Sequence, residues 1–325
     1  MPDADLPTIP PQPSAVTIFV GSRGLRPGWR LLIFFVIVIT LGACALIFLQ
    51  PRLLRSFGTD FSAPNVIVQE LISFGIVLIA TLVMGKFEHR SLGDYGLPPR
   101  SFLGRQFWTG ALWGFVMLSF IVALMAFTHS YNAGGMALTA RDAMKYGVLW
   151  AIGFLLVGLF EESAFRGYML YTLNTGMGFW PAAAITCCLF AGGHIGNPGE
   201  NWVGVLEIVL IAIFLCLALR RTGNLWFAIG WHMAFDWGES FFYSTPNSGI
   251  QATGHMLKAS LVGSKWLSGG SVGPEASVFD LVVTIAGILL LSKLYPDAKY
   301  PALEASGATL ATGTPQVPAI PPATA

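Results

Sequence analysis

The sequence predicts an all-α fold: a polytopic bundle of about eight membrane-spanning helices, with polar groups held inside the membrane. Three observations lead there. Hydrophobic residues occupy 54% of the 325 positions. Only 11% are charged, against about a quarter in a typical soluble domain, and the mean hydropathy is +0.65. The apolar residues also fall in segments close to the ~20 residues that a helix needs to cross a bilayer.

Residues 1–22 carry prolines and acids where a signal peptide would need a basic start and an unbroken apolar core, so they read as a disordered tail. The membrane domain then runs over 23–294, with spans at about 31–49, 65–85, 107–127, 144–170, 179–194, 202–219, 224–243 and 276–293. The fifth is short, and Gly192, Gly193 and Gly196 are expected to break its end. Residues 90–101 form a basic loop, and the Pro-, Ala- and Thr-rich residues 295–325 read as a second disordered tail. No internal repeat is evident.

With the N-terminus inside, most of the 18 Lys and Arg fall on the cytoplasmic side, among them Arg26, Arg30, Lys86, Arg90, Arg220 and Lys293. Both termini are therefore expected in the cytoplasm, and the expected location is the plasma membrane of a prokaryote. A formal net charge of +1 without a basic stripe gives no reason to expect nucleic acid. Cys44, Cys187, Cys188 and Cys216 all lie in apolar stretches and read as small buried hydrophobes.

Charged groups inside spans are costly and call for a partner or a task. Glu161 and Glu162 stand side by side near the end of the fourth span, with Arg166 four residues beyond Glu162. Residues four apart share a helix face, so Glu162 and Arg166 can pair, whereas Glu161 points about 100° away and is available to something else. His194 ends the fifth span above Phe190, and His232 shares a face with Asp236 in the seventh. Counting from the turn-forming residues 174–178, Glu161 and His194 reach similar depths in antiparallel helices, and all three clusters are expected to meet in the half of the membrane nearest that turn. A carboxylate shielded from bulk water can act as a general base, and two imidazoles can bind zinc or stabilise an oxyanion. Ser163 has no base at helical spacing and is not expected to be a nucleophile.

The ordered motifs Glu161-Glu162-x-x-x-Arg166, Phe190-x-x-x-His194 and His232-x-x-x-Asp236 resemble those of the CPBP family of intramembrane proteases, whose eukaryotic members are the type II CAAX prenyl endopeptidases. The resemblance covers about 144–243. It implies an endopeptidase that cleaves a membrane-associated, CAAX-type prenylated or unprenylated substrate. Glu161 would activate water, Glu162 and Arg166 would assist, and His194 and His232 would polarise the carbonyl or bind a divalent metal such as Zn together with Glu161 and Asp236. The family's third motif often ends in asparagine; Asp236, when ionised, cannot donate a hydrogen bond.

Two other functions suit the same residues. Intramembrane Glu, His and Asp also fit a proton- or ion-coupled transporter, although the broken-helix repeats common in transporters are not evident. A non-catalytic scaffold or immunity protein would keep the fold alone. Glu70 and Glu207 are further acids within spans, whereas Glu239 and Asp280 lie near span ends, where solvation is expected. Trp202, Trp226, Trp231 and Trp237 are expected in interfacial aromatic belts.

Overall fold

The structure is a computed structural model that describes residues 19–21, 24–52 and 60–300. All eight apolar segments are helical. Helices α1 (Pro27–Phe48), α2 (Ala63–Glu88) and α3 (Arg105–Phe127) are followed by α4 (Ala140–Glu162). A π-helical turn, Ser163–Met169, joins α4 to α5 (Leu170–Met177). After it come α6 (Phe179–His194), α7 (Trp202–Thr222), α8 (Trp226–Trp237) with a second π turn at Gly238–Phe242, and α9 (Val278–Leu294). Five of these helical stretches are long and apolar enough to cross a membrane. The protein is an integral membrane protein.

Local chemistry sets the boundaries. Thr139 accepts from the Asp142 N–H to cap α4, Asn201 accepts from Val203 and Gly204 at the start of α7, and Ser277 accepts from Asp280 at the start of α9. Gly178, at φ +83, and Gly223, at φ +94, take backbone conformations that L side chains rarely adopt. They turn the chain between α5 and α6 and after α7.

α8 lies at the centre, packed between α3 and α4. Its close approach to α3 depends on the absence of side chains. A Cβ on Gly110 would stand 2.0 Å from the Phe227 carbonyl oxygen, one on Gly114 2.2 Å from that of Trp231, and one on Gly230 2.1 Å from that of Phe107. Small residues four apart allow membrane helices to touch backbone to backbone. At the margin, α1 buries only Phe34 and exposes Leu32, Val36, Ile39, Ile47 and Phe48, the pattern of a helix facing hydrocarbon. Glu88, at the end of α2, accepts from Arg30, Tyr95 and Tyr168 and so ties α1, α2 and the π turn together.

Several expectations need correction. Glu239 and Asp280 have no exposed surface; Asp280 lies where α9 packs against α7. Trp226 and Trp231 are core residues; Trp231 donates to the Met117 sulfur at 3.3 Å, while Trp202 is 67% exposed. Cys187 and Cys216 are buried and face each other at 3.8 Å, but Cys44 and Cys188 are exposed. Gly192 and Gly193 continue α6 instead of ending it. Residues 295–300 pack against the bundle: the Lys299 and Tyr300 N–H groups donate to the Arg220 carbonyl, and Tyr300 is buried. Residues 1–18, 22 and 301–325 of the two predicted tails lie outside the described residues.

Candidate active site

Glu161 and Glu162 end α4 where the helix widens into the π turn, and Gly167 inside that turn leaves helical geometry at φ −80, ψ −114. Single π turns recur at functional sites because they re-aim side chains within a helix. Arg166 is fully buried. Its guanidinium donates to Glu162 Oε1 at 3.0 Å and lies over the Phe190 ring, 4.2 Å from its centroid. The pairing expected within the first motif is therefore present, and Phe190 of the second motif supports it from α6.

The same Glu162 oxygen accepts from His232 Nδ1 at 3.0 Å, which joins the first motif to the third. Gly158 makes this possible, because a Cβ there would meet the Ile229 carbonyl at 3.2 Å and the His232 Cβ at 3.5 Å. With its Nδ1 proton given to Glu162, His232 turns Nε2 toward Glu161 Oε2 and Asp236 Oδ2, each at 3.5 Å. That is longer than a direct hydrogen bond. A lone pair on Nε2 would repel both carboxylates, whereas a proton on Nε2 or one shared water would join all three groups. Glu161 keeps 21% of its side chain accessible, while Glu162 keeps none. His194 Nδ1 donates to the Phe190 carbonyl at 2.8 Å, leaving Nε2 as the free ring nitrogen.

A cavity of about 630 Å³ is lined by Glu161, His194, His232 and Asp236, with Glu70, Phe154, Phe165 and Trp231 among its other walls. Four of the six predicted residues thus face one space, and Glu162 and Arg166 stand behind it. The loop residues that line it, Asp60, Asn197, Asn247 and Glu275, all belong to the end of the bundle opposite the 174–178 turn. The cavity therefore extends from the motif residues toward the end away from that turn. Counting along helices ignores the segment 244–277, which supplies part of the cavity wall.

Glu275 was missed by sequence reasoning. It lies on the 3-10 turn Pro274–Ala276, and its carboxylate accepts from the Ser248 N–H and hydroxyl at 2.9 and 3.2 Å. Burial, and then the charge of Asp236, push its carboxyl up to about 7. It is the one acid between Glu239 and Asp280 in the sequence, a faint signal that could have drawn attention to it.

The residues expected to hold zinc do not close around a common point. Among the described residues, the group of at least three whose ligand atoms all lie within 4.8 Å of one another is Asp236, Glu239 and Glu275. No three of Glu161, His194, His232 and Asp236 meet that condition, and a tetrahedral zinc site needs closer convergence.

Comparison with curated proteins finds no match. Residues 142–238, which contain all three motifs, match the family described as Type II CAAX prenyl endopeptidase Rce1-like.

Proposed function

We propose, for a chain whose residues 142–238 belong to the type II CAAX prenyl endopeptidase Rce1-like family, that Glu161 activates a water molecule to cleave a peptide bond at the membrane. At family level the protein is a CAAX-type intramembrane protease. The observation that carries the finer reading is the single cavity shared by Glu161, His194, His232 and Asp236, with Glu162 and Arg166 fixing His232 from behind.

The steps need only groups of this chain. Water lies against Glu161, the accessible member of the glutamate pair, which takes its proton as the oxygen adds to the scissile carbonyl. His232, locked through Nδ1, stabilises the protonated glutamate's surroundings and keeps Asp236 oriented. His194, when protonated at Nε2, donates to the oxyanion of the tetrahedral intermediate. Glu161 then returns its proton to the leaving amine, and the C–N bond breaks. Asp236 assists through His232, because an ionised carboxylate has no proton to give to an oxyanion.

The apolar walls, including Phe154, Phe165 and Trp231, suit a substrate that carries a lipid or an apolar segment next to the cleaved bond. The test is to reconstitute the full chain in liposomes and supply matched peptides with a C-terminal CAAX sequence, one prenylated and one not, following products by mass spectrometry. Cleavage inside the CAAX sequence supports the reading, and faster turnover of the prenylated peptide adds the lipid preference. No cleavage of either peptide by folded protein, combined with solute uptake lost on Glu161 substitution, would favour a transporter.

A further inference from the structure

Beyond Asp236, the bundle buries acids for which hydrolysis has no use. Glu239, on the π turn after α8, has no exposed surface, and neither of its carboxylate oxygens makes a hydrogen bond. Asp236 faces it from the last turn of α8 and Glu275 from the 3-10 turn Pro274–Ala276. One oxygen from each of the three lies within 4.8 Å of the other two. Among the described residues, the ion pair this group makes is that of Asp236 with His232, and no Lys or Arg pairs with any of the three.

Protons alone do not resolve this arrangement. A proton on Glu239 removes one of the three charges and leaves its other oxygen buried without a donor. A cation removes both problems, because it neutralises the charge and binds the orphaned oxygens. Hard cations of calcium size bind carboxylate oxygens at about 2.3–2.6 Å, so oxygens sharing one ion lie up to ~5 Å apart, which matches the separation here. Asp236 and Glu275 also line the cavity, giving the ion a route from water.

We propose that Asp236, Glu239 and Glu275 form a binding site for one hard divalent cation of the calcium class. The ion would fasten the segment 244–277 to the end of α8 and so hold the cavity wall in place. It lies beside the hydrolytic group, shares only Asp236 with it, and does not depend on the proposed chemistry.

The full-length protein in nanodiscs, stripped with chelator, is titrated with Ca²⁺ while bound ⁴⁵Ca and the thermal unfolding midpoint are measured. One Ca²⁺ per chain is expected, with a higher midpoint at saturation by mass action. Glu239→Gln is expected to weaken binding by about tenfold or more, as loss of a ligand or its direct support does, and Glu275→Gln serves the same purpose if the first variant fails to fold. Glu161→Gln should bind as wild type does, so that failure of the catalytic reading leaves this result untouched. Absence of bound Ca²⁺ at millimolar concentration overturns the proposal. So does equal binding by wild type and folded Glu239→Gln, or binding lost in Glu161→Gln or His194→Ala and retained in Glu239→Gln.

Discussion

Replacing Arg166 with alanine would leave the buried charge of Glu162 without its cation, and breaking one side of a buried pair costs about 3–5 kcal/mol. Arg166→Ala should therefore lower the thermal midpoint of the purified protein sharply. Glu162→Gln leaves the buried Arg166 as the uncompensated charge and is expected to cost a similar amount, although the amide oxygen still accepts from His232 Nδ1. Both variants should lose stability and cleavage together, as thermal melts and peptide assays on the same preparations will show. At this scale the Glu162–Arg166 pair was legible from spacing alone, since both residues lie on one helix. The bond from His232 to Glu162 was not, because it depends on how closely α8 approaches Gly158. The burial of Glu239 and Asp280 was hidden for a similar reason: nothing local announces which distant elements pack against them.

The helix pair α3–α8 offers a sharper test. Gly114→Leu would drive a side chain into the Trp231 carbonyl, only 2.2 Å from the position of its Cβ. Overpacking of this kind costs about 1–3 kcal/mol or more, and here it also displaces the helix that carries His232. A lower thermal midpoint together with reduced cleavage is expected. Gly42→Ala is the control: nothing lies within 4 Å of the added methyl on α1, so the midpoint should hold or rise, consistent with a helix-propensity gain of up to about 1 kcal/mol. All eight helical segments could be read from hydropathy. The two π turns could not, because one extra residue per turn leaves hydrophobic periodicity almost unchanged over so short a stretch. Trp226 and Trp231 were assigned to an interface because aromatic residues near span ends suit either an interface or a core. Only the packing partner decides between them.

Across the molecule, the chain's later segments complete what the helices begin. Tyr300 is buried, donates its hydroxyl to the Asp94 carbonyl at 3.2 Å, and fastens the exit of α9 to the end of the bundle that holds the 90–101 loop. Tyr300→Ala should cost about 3 kcal/mol, the lower end for deleting a buried aromatic ring, and a thermal melt checks it. Composition gave no sign of this anchor, since residues 295–300 share the polar, proline-containing character of the tail. The cavity that unites the motifs was foreseeable from their common depth in three spans. Its extension toward Asn197, Asn247 and Glu275 was not, because those residues come from loops without periodic signals. The most direct test is the cleavage rate of a CAAX peptide by wild type and Glu161→Gln in the same liposomes, with equal folding verified by thermal melt. A loss of about 10²–10⁴-fold, the contribution of a general base, is expected; undiminished cleavage by the folded Gln variant would contradict the assignment of Glu161 as the group that activates water.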